Sequence, residues 1–155
     1  MSDPLVVRRE TYIAAPRATV FAFLTDPERI ISWMGAEAAT EPHPDGLYLV
    51  RGVGGDHARA ARGAFREVVP VHRLAYSFGW DANDAVPPGS SLVEIDLVES
   101  NGGTLLRLTH SGLPDALQCA SHSAGWAHYL DRLGAAASGD DPGEDRGPAG
   151  IHAAR

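Results

Sequence analysis

The sequence predicts an α+β domain in which a curved antiparallel sheet wraps around a long C-terminal helix. Three observations carry this. From residue 36 to 111, short β-prone segments alternate apolar and polar residues and are separated by Pro, Gly and Asn turn signals. Residues 119–133 (CASHSAGWAHYLDRL) instead place apolar residues at helical spacing. Between the first strand and the rest, Pro16 and Asp26-Pro27 each open a short helix.

Taken in order, residues 5–14 (LVVRRETYIA) read as a strand, with Val7, Arg9, Thr11 and Ile13 on one face. After Pro16, residues 17–24 carry Val20, Phe21 and Leu24 at helical spacing. Asp26 is a natural N-cap, Pro27 suits the first helical position, and Glu28 favours the first turn. Ile30, Ile31, Trp33 and Met34 give this second helix its apolar side, and Gly35 ends it. Strands are expected at 36–41, 47–53, 57–69, 74–80, 92–99 and 104–110. Pro42–Gly46, Gly54-Gly55-Asp56, residues 81–90 and Asn101-Gly102-Gly103 are the turns between them. The strand 74–80 puts Leu74, Tyr76, Phe78 and Trp80 on one face. In 104–110, Leu106, Leu108 and His110 share a face.

The last helix spans roughly residues 115–137, so the domain is expected to cover 1–137. Residues 138–155 (SGDDPGEDRGPAGIHAAR) are rich in Gly, Pro and charge and read as a disordered tail. The element order is β-α-α-β-β-β-β-β-β-α. A strongly twisted sheet around one helix leaves a gap at one end, and such gaps suit apolar molecules.

Composition narrows the function. The chain has 155 residues, 44% hydrophobic and 21% charged, as expected of one domain with a sizeable core. A formal net charge of −7 argues against a general nucleic-acid or anionic-membrane surface. The lone cysteine, Cys119, cannot form an internal disulfide. No basic start with an apolar signal core is visible, and no apolar run approaches a membrane span, so a cytoplasmic location is expected.

Within the expected gap, Trp33, Phe78, Trp80 and Trp126 are the candidate walls. Ordinary core packing is the competing role for each of them. His122 and Trp126, four residues apart, share one helix face with Cys119, and His110 faces the same space from the sheet. His122 and His110 are the candidate ligand contacts, and the candidate general acid/base groups if the protein is an enzyme. A Cys119–His122 nucleophilic pair lacks an evident orienting group. No cofactor or metal is expected. The histidines form neither HxxxH nor HExxH, and Gly52-Val53-Gly54-Gly55 leads to a strand rather than a phosphate-binding helix. Glu94, Asp96, Arg59, Arg62 and Arg107 are expected on a solvated sheet face.

The segments IAAPRATVFAFLTDPERIISWMG (13–35) and LTHSGLPDALQCASHSAGWAHYLDRL (108–133) resemble the SRPBCC (START-like, Bet v 1-like) superfamily. The branch they resemble is that of the activator of the 90-kDa heat-shock-protein ATPase. The markers are Pro16, Val20, Thr25-Asp26-Pro27, Trp33 with Gly35, Thr109-His110-Ser111-Gly112, and His122 with Gly125-Trp126. The resemblance implies a helix-grip fold with a hydrophobic cavity under the long helix. It leaves three functions open. One is a carrier of an apolar or amphipathic small molecule. Another is a polyketide cyclase or aromatase-like enzyme. The third is a protein-interaction or chaperone-associated module, which includes a homodimer. Chaperone activation itself is not expected, because that role belongs to longer proteins with a separate N-terminal domain.

Overall fold

The fold comes from a computed structural model that describes residues 5–148. Strand β1 (Val7–Ile13) is followed by helices α1 (Arg17–Thr25) and α2 (Pro27–Ile30). Strands β2 (Glu37–Thr40), β3 (Leu47–Arg51), β4 (Ala60–Val69), β5 (Arg73–Phe78), β6 (Ser91–Ser100) and β7 (Gly103–Ser111) follow, then α3 (Ala116–Ala137). The seven strands make one antiparallel sheet in the order β1-β7-β6-β5-β4-β3-β2, so the first strand closes against the last. This is the expected α+β order, a curved sheet gripping a long helix.

Local chemistry sets the boundaries. Asp26 caps α2 by accepting from the Glu28 N–H at 3.0 Å, as its position before Pro27 requires. The helix stops at Ile30, however, and Trp33 and Met34 are buried within the turn that follows. Asn101 and Gly102 both adopt positive φ (47° and 79°), which matches the right-handed twist of the β6–β7 hairpin they join. Strand β4 starts three residues later than the sequence suggests. Residues 57–59 stay in a turn, which moves Arg59 away from the sheet ladder.

The alternating faces turn inward as expected. Leu74, Tyr76 and Phe78 of β5, Val93, Ile95 and Leu97 of β6, and Leu106, Leu108 and His110 of β7 are all buried. Helix α3 lays Cys119, His122, Trp126, Tyr129, Leu130 and Leu133 against them. Asp115 caps it by accepting from the Gln118 N–H at 2.8 Å. Each large apolar side chain removed from water contributes roughly 1.5–3 kcal/mol, so this shared face is the main source of cohesion.

Of the expected disordered tail, residues 138–148 are described and lie against the domain, and residues 149–155 lie outside the described residues. It doubles back along α3, where Arg132 donates to the carbonyls of Pro142 and Gly143 at 3.0 and 2.8 Å. Its composition suggests disorder because it has little apolar surface to bury. Besides these Arg132 bonds, it is held by one buried carboxylate, Asp145, only 6% exposed.

Candidate functional site

Two indole–imidazole pairs connect α3 to the sheet. The Trp126 indole N–H donates to His110 Nδ1 at 3.0 Å, and the Trp80 indole N–H donates to His122 Nε2 at 3.0 Å. An indole nitrogen can only donate, so it fixes the tautomer of the histidine it meets. His110 therefore carries its proton on Nε2 and donates to Ser91 Oγ at 2.8 Å, while the Ser91 hydroxyl donates to the Phe78 carbonyl at 2.8 Å. His122 carries its proton on Nδ1 and donates to the Gln118 carbonyl at 2.8 Å. The two imidazoles meet edge to face, 5.3 Å between ring centroids.

Both histidines are neutral by construction. Burial, helped by the neighbouring His122, pushes His110 down to about 3. His122 is lowered chiefly by burial. The Gln118 carbonyl opposes that shift and the Arg59 charge adds to it. With both ring nitrogens of each histidine engaged, neither has a lone pair or proton free for a substrate. The same bonds leave His122 no nitrogen with which to activate Cys119.

A cavity of about 70 Å³, open on one side, lies beside these pairs. Phe78 and Trp80 form its sheet wall, and His122, Gly125, Trp126 and Tyr129 form its α3 wall. Met34, Val53, Gly54 and Arg59 complete the near rim, while Gly147 and Pro148 come from the C-terminal segment. Its surface is mainly aromatic and aliphatic, because the histidine nitrogens are turned toward indoles and backbone. A Cβ built on Gly125 meets nothing within 4 Å, so this helical glycine leaves space that a side chain would take. The Arg59 guanidinium lies 4.0 Å over the Trp80 ring as a cation–π contact at the rim.

Next to this rim sits Asp145. Its Oδ2 accepts from the N–H groups of Gly35 (2.8 Å) and Gly54 (3.0 Å), and its Oδ1 accepts from the Tyr129 hydroxyl (2.9 Å) and the Gly147 N–H (2.9 Å). Burial alone would raise its pKa. The converging N–H groups and the Tyr129 hydroxyl outweigh that and hold the carboxyl below its usual range. Gly35 (φ 75°) and Gly54 (φ 74°) point their amides inward through left-handed backbone, and a Cβ on Gly35 would lie 2.5 Å from Val50 and 2.7 Å from the Arg51 carbonyl.

The profile of the activator of Hsp90 ATPase homolog 1-like protein matches residues 14–138. The chain belongs to that family. None of the curated proteins compared matches it. Among solved structures, an AHSA1-like protein from Rhizobium etli is 65% identical over 94% of this chain and 91% of that one, with a TM-score of 0.71. CalU16 from Micromonospora echinospora is 26% identical, covering 86% and 84%, with a TM-score of 0.66. The Aha1 dimer from Colwellia psychrerythraea is 14% identical, covering 89% and 98%, and its TM-score of 0.75 shows a shared fold.

Of the candidate wall residues, Phe78, Trp80, His122 and Trp126 line this cavity. His110 lies one layer behind, fully buried under Trp126, and meets His122 without reaching the cavity. Trp33 does not line it. Its indole donates to the Phe23 carbonyl at 2.8 Å, its ring is 1% exposed, and its neighbour Met34 takes the place at the rim. Local backbone bonding, which aromatic type alone does not reveal, decides that difference. Arg59 leaves the expected solvated face for the rim. On that face, Arg73 gathers Glu67, Glu94 and Asp96 instead. Asp145 was not legible as a site residue, since its donors come from Gly35 and Gly54, far away in sequence. Among the described residues no helix is long and apolar enough to cross a membrane. No group of three His, Cys, Asp or Glu among them is placed to hold a metal.

Proposed function

We propose that the protein binds an apolar or amphipathic small molecule in the cavity between β5 and α3. The observation that carries this reading is the tuning of the wall. His122, which stands on that wall, is kept neutral with both ring nitrogens bonded elsewhere, and His110 is sealed behind it, so the cavity presents mainly rings and aliphatic carbon. Affinity then comes from burying apolar surface, and orientation from the polar groups at the rim. The helical Gly125 supports the reading, because glycine inside a helix costs about 1 kcal/mol relative to alanine and here leaves open space.

The acid/base reading of His122 and His110 finds no support in this geometry, since a general base needs a free nitrogen within reach of the substrate. Binding without turnover is the function we infer.

A titration with Nile red tests it. The wild-type chain should bind the dye saturably, and Gly125→Leu, which fills the space beside Trp126, should abolish the signal while the protein stays folded by circular dichroism. Saturable binding that survives Gly125→Leu unchanged places the dye elsewhere and defeats the reading.

A further inference from the structure

The cavity of about 70 Å³ is small beside the roughly 300–1,000 Å³ usual for ligand pockets, and part of its wall is the C-terminal segment itself. That segment has little apolar anchorage. Beyond the backbone bonds that Gly139 and Asp140 make to the end of α3, it is held by the Asp145 carboxylate and by two carbonyls bonded to Arg132. Of the four donors that meet Asp145, only the Gly147 N–H belongs to the segment. The Gly35 N–H, the Gly54 N–H and the Tyr129 hydroxyl belong to the body of the fold and stay there if the segment moves. They converge on one carboxylate from three separate elements. Gly54 and Tyr129 are also cavity wall, so the hole adjoins the apolar space. Arg59 and Arg132 add positive charge near Tyr129.

From this arrangement we propose that the Gly35–Gly54–Tyr129 hole is a carboxylate-binding site. Asp145 holds it in the ligand-free chain. The carboxylate head of an amphipathic acid takes it over, with the acid's apolar body in the adjoining cavity. This rests on the reading of the cavity as a ligand site. One carboxylate replaces another on the same charge-assisted bonds, so the exchange leaves no donor unpaired. The displaced segment withdraws Gly147 and Pro148 from the wall, which enlarges the space for the body of the ligand. Asp145 competes at the high effective concentration of a tethered group, so the acid needs its apolar part to win.

The test uses phenylbutyrate and its neutral counterpart phenylbutanol, titrated by NMR against the full chain and against Asp145→Ala. Removing the tethered competitor should raise affinity for the acid over that for the alcohol by about tenfold or more. The Gly35 and Gly54 amide resonances should move with the acid and not with the alcohol. Asp145→Asn keeps the shape of the side chain without its charge and should shift the same ratio in the same direction, which guards against a folding defect in the alanine variant. If the alcohol binds but the acid-to-alcohol ratio is unchanged in both variants, the carboxylate site is refuted while the cavity reading stands. Failure of both compounds to bind either variant refutes the two together.

Discussion

Trp126 donates its indole proton to His110 Nδ1 across the interface between α3 and β7, at 3.0 Å and out of reach of solvent. One bond ties the gripping helix to the sheet and also sets the protonation of a histidine. Substituting Trp126 by Phe keeps an aromatic ring and removes the donor. The buried His110 nitrogen then has no partner, which should cost about 1–3 kcal/mol in urea denaturation. A loss near zero would mean that another donor replaces the indole.

The two histidines also set an acid limit on stability. In the unfolded chain a histidine titrates near 6.5, whereas folded His110 titrates at about 3 and His122 is lowered too. The unfolded state therefore binds more protons between these values. The stabilisation is complete above about pH 6.5 and declines as pH falls toward the folded values, with His110 accounting for roughly 3–5 kcal/mol. Between about pH 6.5 and 5 most carboxylates remain ionised, so a falling urea midpoint there reports the histidines. A flat midpoint over that range would show that they protonate freely in the fold.

Gly125 has a cost as well as a use. Gly125→Ala adds a methyl where nothing lies within 4 Å and improves helix propensity, so thermal unfolding should show a gain of about 0.5–1 kcal/mol. A loss of stability would mean that the helix face at this point is already filled.

Asp145 should protect the amides it accepts from. In Asp145→Ala, hydrogen exchange at Gly35 and Gly54 should speed up by about tenfold or more, while core amides of β6 and β7 keep their rates. Equal acceleration throughout the sheet would mark a global loss of stability rather than release of a local latch.

Much of this arrangement was legible in the sequence because it rests on short-range periodicity. The two-residue alternation of Leu74, Tyr76 and Phe78, and of Leu106, Leu108 and His110, sent both sets inward. The four-residue spacing of His122 and Trp126 placed both on the gripping face of α3. The features that escaped depend on long-range partners. Trp33 looks like any cavity aromatic until its N–H finds the Phe23 carbonyl. Residues 138–148 look unable to fold until Asp145 meets donors from two distant loops and a helix. Composition measures how much apolar surface a segment can bury and is blind to one well-placed charge.

The three tryptophans provide the most direct measurement of the central claim. Heteronuclear NMR resolves their indole N–H signals during a titration with phenylbutanol. Trp80 and Trp126 stand on the cavity wall, whereas Trp33 is bonded to backbone outside it. A ligand held between β5 and α3 should shift the Trp80 and Trp126 signals saturably and leave Trp33 in place. If Trp80 and Trp126 stay fixed, or all three signals drift together without saturating, the cavity is not a binding site.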